Sequence, residues 1–180
     1  MKKIFERVRK LSLDYIPTFT KTGIIHKLTF LFNLLEIHPH SAVINITDRC
    51  NLKCIMCKQW RRPVKEELST EDWKRIILDL KKNKISNIHF TGGEPLLRGD
   101  LVELVSYATH NGFTTGLTTN GMLLKEKILQ ELVDAGLRAI TISIDALGEK
   151  YEEVRGVANS FTKVNQAARL IADLKKKKKI

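Results

Sequence analysis

Cysteine is scarce in this 180-residue chain, and its three copies, Cys50, Cys54 and Cys57, fall within one eight-residue run, CNLKCIMC. An odd count at so tight a spacing argues against a disulfide pair. Proline is scarce too, with four in the chain. Long apolar runs are missing: the longest, 28–35, is interrupted by Asn33 and falls far short of the roughly 20 residues that span a bilayer. No transmembrane segment is therefore expected. Lys2, Lys3, Glu6, Arg7, Arg9 and Lys10 break up any apolar core that a signal peptide would need. These absences predict a cytoplasmic, reducing setting, which suits free thiolates.

Charge is lopsided, with a formal net of +11, but five of those positives sit in the terminal run Lys175, Lys176, Lys177, Lys178 and Lys179. A basic tail with little aromatic interleaving reads as a solvated face, so no specific nucleic-acid partner is expected. A hydrophobic content of 43% over this length supports a real core in a single globular unit.

Apolar residues in the first 37 positions recur at helical spacing, as in Ile4, Val8 and Leu11 and then Leu28, Leu31 and Leu35, with Pro17 between the runs. Two helices are predicted, forming an extension over 1–40. Packing across the end of the domain is the commoner use for such helices, with a membrane-surface role as the alternative. From residue 41 the pattern becomes short β-branched stretches alternating with amphipathic helices. Strands are predicted at 42–46, 87–91, 114–118 and 138–144. Helices are predicted from Ser69-Thr70 to about 83, at 100–110, at 125–135, and from a Ser160 cap into the lysine tail. The fold class is α/β: about four parallel βα units forming a partial barrel over 41–180.

Parallel βα assemblies gather their chemistry at the carboxyl ends of the strands. CNLKCIMC follows the first strand, Gly92-Gly93-Glu94-Pro95 the second and Thr119-Asn120-Gly121 the third, while Ser143-Ile144-Asp145 closes the fourth. Three thiolates on one loop can converge on a soft-metal centre and leave a coordination position open. A zinc site completed by His38, His40, His89 or His110 is the rival reading. Gly92 and Gly93 permit close approach of a ligand to the backbone, whose carbonyls could bind an ammonium group with help from Glu94, and Pro95 fixes the exit of the turn. An ordinary tight turn, and for Asp145 a helix-initiating acid, are the plain alternatives.

These four motifs, in this order, resemble the radical S-adenosylmethionine (radical SAM) superfamily over about 43–156. The resemblance implies that Cys50, Cys54 and Cys57 hold a 4Fe-4S cluster with one iron left for the cosubstrate, and that the Gly92–Pro95 turn contacts the amino group of S-adenosylmethionine. It further implies that Asn120, Ser143 and Asp145 line the cavity against its ribose or carboxylate. Met56 stands where the family commonly has an aromatic residue near the adenine, and a thioether fills such space adaptably. Trp60 supplies aromatic surface or an apolar plug. Arg155 could anchor a carboxylate, but a surface ion pair with Glu152 or Glu153 is the simpler account.

The implied activity is reductive cleavage of S-adenosylmethionine to a 5'-deoxyadenosyl radical that abstracts hydrogen from an unknown substrate. The general look is that of the peptide- and cofactor-maturing branch. A flavodoxin or ferredoxin would donate the electron. The other reading is a non-catalytic zinc or iron-sulfur fragment needing a partner. Because the family typically builds six βα units, the chain is expected to be an N-terminal portion of a longer enzyme, to associate through its fourth strand, and to turn over poorly alone. On this view Gly93→Val would impair cosubstrate binding and spare the cluster.

Overall fold

The computed structural model describes residues 39–178, apart from 62, 64 and 65. The two predicted N-terminal helices lie outside the described residues. Four strands, β1 (Ser41–Asn45), β2 (Asn87–Thr91), β3 (Thr114–Thr119) and β4 (Ala139–Ile142), form one parallel sheet in sequential order. Between them run α1 (Thr70–Lys82), α2 (Leu101–His110) and α3 (Glu126–Asp134). After β4 come α4 (Glu149–Arg155) and α5 (Ser160–Lys178).

Local sequence explains most of these elements. Helix α1 begins at a capping box in which the Ser69 side chain accepts the Asp72 amide and the Asp72 carboxylate accepts the Ser69 amide. Glu71 and Asp72 in the first turn and Lys81 and Lys82 in the last complement the helix dipole. Strand β2 alternates as a half-buried strand should: Ile88 and Phe90 are buried, with Asn87, His89 and Thr91 on the other face. The buried face meets Trp73 and Ile77 of α1, Leu101, Leu104 and Val105 of α2, Leu117 of β3 and Leu132 of α3 in one core. Each fully buried side chain of this size contributes about 1.5–3 kcal/mol relative to exposure. The core thus lies between the sheet and its covering helices, leaving the carboxyl ends of the strands to build a site.

Three expectations need correction. Strand β4 stops at Ile142, not 144, because the Ser143 carbonyl bonds to the Tyr151 hydroxyl and the Arg155 guanidinium instead of to a sheet neighbour. Helix α4 was not predicted, although Gly148 and Gly156 bracket it and its charges, Glu149 and Glu152 early and Arg155 last, run in the order the helix dipole favours. Ser160 is the first residue of α5, and its buried hydroxyl finds no hydrogen-bond partner, so its side chain is not the cap. No helix among the described residues is long and apolar enough to cross a membrane.

Candidate metal and cofactor site

The loop leaving β1 is fixed before it reaches the cysteines. The Ile46 amide donates to the Thr91 carbonyl (2.9 Å), extending the β1–β2 pairing by one residue. Across the rim, the amides of Gly93 and Glu94 donate to the carbonyls of Thr47 and Arg49, both at 2.8 Å. Arg98, buried, donates to the Ile46 and Leu68 carbonyls and pairs with Asp100 at 2.6 Å, locking the base of the loop. Glu67 folds back onto Thr47 and Arg49. Partial burial raises its pKa, but hydrogen bonds from those two residues outweigh that and hold the carboxyl below its usual range.

Beyond this base the loop is clamped on both sides of the middle cysteine. The amides of Lys53 and Ile55 donate to the carbonyls of Arg155 (3.0 Å) and Val154 (2.9 Å) at the end of α4. The Trp60 indole N–H reaches the Cys54 carbonyl at 3.3 Å, giving that side chain a polar task the sequence reading missed, and Gln59 donates to Asp48 at 2.7 Å. Leu52 is buried beneath the loop. Cys50 is half-buried, Cys54 buried and Cys57 exposed. Burial pushes the Cys50 thiol up, and the Glu94, Cys54 and Cys57 side chains add to that.

All three cysteines line a single cleft of about 380 Å3 at the carboxyl ends of the strands. Gly92, Gly93, Asn120, Ser143, Asp145 and Met56 line it too, so most residues singled out from sequence come together here. Glu94 and Pro95 do not: both are buried behind the wall. Further lining residues, Asn45, Thr91 and Thr118 among them, escaped the sequence reading because a single strand-end threonine or asparagine carries no local signal.

Glu94 is fully buried, and its carboxylate serves the fold. One oxygen accepts the Thr119 hydroxyl (2.7 Å) and the Leu96 amide (3.0 Å), and the other accepts the Asn120 amide (2.8 Å). Burial pushes its carboxyl above the usual range, and these hydrogen bonds pull partly against it. Asn120 in turn donates to the Asn51 side chain at 2.7 Å, so a chain of polar contacts ties the β2 and β3 loops to the loop that carries the cysteines.

Arg155 overturns the surface-pair expectation. It is 8% exposed, pairs with Asp145 at 2.5 Å, and has one N–H at 3.7 Å from the Cys54 sulfur. Its Nε is buried without a partner, leaving a donor available at the wall of the cleft. The histidines of the zinc reading lie elsewhere. His89 bonds to Thr118 at 2.6 Å over Gly116, His110 to the Ser106 carbonyl at 2.8 Å, and neither they nor His40 line the cleft. His38 is outside the described residues. Three thiols on one cleft, with polar backbone and side-chain groups opposite, fit a 4Fe-4S cluster with a polar ligand beside it.

A βα sheet with a thiol-bearing loop after its first strand is the plan of a class of iron-sulfur enzymes, and the chain belongs to one family of that class. It matches the Radical SAM superfamily over residues 44–180 and is a member of it. It is 37% identical over 142 residues to the PqqA peptide cyclase of Bradyrhizobium diazoefficiens, an alignment covering 76% of this chain and 37% of the cyclase. Over 112 residues it is 38% identical to a probable GTP 3',8-cyclase of Methanopyrus kandleri, covering 61% of this chain and 36% of that protein. Among solved structures, anSMEcpe with bound AdoMet and Kp18Cys peptide superposes with a TM-score of 0.63 at 26% identity, over 75% of this chain and 41% of that one. Streptococcus suis SuiB bound to S-adenosylmethionine shares the fold, with a TM-score of 0.59 at 23% identity over 89% of this chain and 40% of that one. The chain thus spans little more than a third of the curated relatives' length.

The geometry changes what one substitution tests. A β-carbon on Gly93 would overlap the Arg49 carbonyl, one residue before Cys50. Gly93→Val is therefore expected to push the cysteine loop aside, at an overpacking cost of about 1–3 kcal/mol, and to lower iron content as well as cosubstrate affinity. Iron analysis after reconstitution checks this, and a fully loaded Gly93→Val chain would show that the two loops are independent.

Proposed function

We propose that this chain carries the cluster- and cosubstrate-binding portion of an enzyme that uses S-adenosylmethionine for radical chemistry in the cytoplasm. The observation carrying the reading is that three cysteines, the diglycine turn and the polar ends of β3 and β4 line one cleft. When bound, the 4Fe-4S cluster supplies one electron that cleaves S-adenosylmethionine to methionine and a 5'-deoxyadenosyl radical, which takes hydrogen from the substrate.

The protein's own part is positioning. Cys50, Cys54 and Cys57 would hold three irons. The carbonyls of Gly92 and Gly93 take no hydrogen bond from the described residues and would accept the cosubstrate's ammonium group, while the amides of Gly93 and Glu94 pin the β1 loop. Glu94 and Pro95 hold that turn from behind. Asn120, Ser143 and Asp145 would meet the polar ribose and carboxylate, and Met56, at the exposed mouth, would cover the adenine. The substrate belongs to the class of peptides or cofactor precursors, in keeping with the cyclases above. A flavodoxin or ferredoxin is the proposed electron donor.

The test is anaerobic reconstitution with iron and sulfide, followed by electron paramagnetic resonance of the reduced chain with and without S-adenosylmethionine. A brown protein with about one 4Fe-4S cluster per chain, whose signal changes on adding S-adenosylmethionine, is expected. A colourless chain that retains zinc would instead establish the non-catalytic metal-binding reading.

A further inference from the structure

The proposed reading gives Asp145 a cosubstrate contact but leaves its partner Arg155 without a task. Arg155 meets the cysteine run in two ways: its carbonyl accepts the Lys53 amide, and its guanidinium reaches the Cys54 sulfur at 3.7 Å. The same guanidinium donates to the Ser143 carbonyl at 2.9 Å and lies over the Tyr151 ring at 5.4 Å. Both Arg155 and Cys54 are under a tenth exposed, so little water screens the positive charge from the sulfur. Among the described residues, Asp145 is the only acid in an ion pair with Arg155, and its side chain is 45% exposed.

The cost of this arrangement argues for a use. A buried guanidinium with one unpartnered N–H is expensive unless a further acceptor or negative charge faces it. A lone neutral thiol is a weak acceptor. A cluster-bound thiolate is a strong one, and hydrogen bonds to cluster sulfurs and nearby net charge are what set such a cluster's potential. Resting on the cluster reading above, we infer that Arg155 and Asp145 together set the reduction potential of the cluster held at Cys54, Arg155 raising it and Asp145 moderating that effect. Reduction adds one electron, supplied in the test by dithionite through mediators, and no bond forms or breaks. The added negative charge is stabilised by Arg155 and opposed by Asp145.

The experiment is a redox titration of the reconstituted chain followed by electron paramagnetic resonance, on the parent, Arg155→Gln, Arg155→Lys and Asp145→Asn. Arg155→Gln is expected to shift the midpoint down by about a tenfold change in the one-electron equilibrium, or about 59 mV. Arg155→Lys keeps the charge but loses the planar fork, so its midpoint should lie between Gln and parent. Asp145→Asn, at a half-exposed position that tolerates the change, should shift the midpoint up. Opposite shifts from two neighbours are not produced by loosening of the loop, which would move both the same way. Iron content is measured in every sample. Loaded variants whose midpoints stay at the parent value, or move in one direction together, overturn the proposal and leave the cluster reading standing. A parent that binds no iron overturns both.

Discussion

Replacing any one of Cys50, Cys54 or Cys57 with alanine is expected to abolish the cluster, while the metal-free proteins respond very differently from one another. On the proposed reading each thiolate would supply one of three protein ligands, and the loop offers no fourth cysteine to substitute. Without metal, however, the three positions do unlike things. Cys54 is buried with its sulfur against the Arg155 guanidinium, so Cys54→Ala leaves a small void and a second uncompensated donor on a group that already has one. A loss of about 1–3 kcal/mol in the apoprotein follows. Cys57 is exposed, and Cys57→Ala should stay within about 0.5 kcal/mol of the parent. Iron and sulfide analysis reads the first effect, and urea denaturation of the metal-free chains reads the second. If a triple alanine variant binds as much iron as the parent, the ligand assignment is wrong.

That contrast marks the boundary between what the chain displays locally and what only its folding reveals. The period-two alternation of Ile88 and Phe90, the capping box at Ser69 and Asp72, and the Asn111-Gly112 stop after α2 are short-range signals, and the elements they predict are present within one or two residues. The convergence of four loops on one rim was also legible, because parallel βα order dictates it. What could not be read was the direction in which charged side chains turn. Arg155 has Glu152 three residues before it on the same helix, the spacing of an ordinary surface pair. It pairs instead with Asp145 and touches Cys54, which is 101 residues away in sequence. No periodicity encodes a contact at that separation. Glu94 misled for the same reason: next to two glycines it looks like a ligand-binding acid, yet its carboxylate is taken up by the Thr119 hydroxyl and the Leu96 and Asn120 amides.

Glu94 accordingly carries the second large effect. Glu94→Ala removes the acceptor for the Leu96 and Asn120 amides and the Thr119 hydroxyl at a fully buried site. Orphaned buried donors cost about 1–3 kcal/mol each, and the lost side-chain volume adds to that, so the loss of stability should exceed that of any cysteine substitution. Glu94→Gln keeps the volume but turns an amide N–H toward one of the two backbone amides whichever way it is placed, so it should fall between alanine and the parent. The pH dependence has a definite sign. Burial raises the folded-state pKa of Glu94 above its unfolded value. Its linked contribution to stability is therefore full below the unfolded pKa and is lost as pH rises through the folded one. The stability gap between parent and Glu94→Gln should widen as pH is lowered, and urea melts across the mildly acidic range measure it. A gap that stays constant on acidification would show that the folded state does not shift the Glu94 pKa, and one that narrows would show that the hydrogen bonds to the ionised carboxylate outweigh burial. Because Asn120 links Glu94 to Asn51 within the cysteine run, both substitutions should also lower iron loading after reconstitution, even though neither residue touches a thiol.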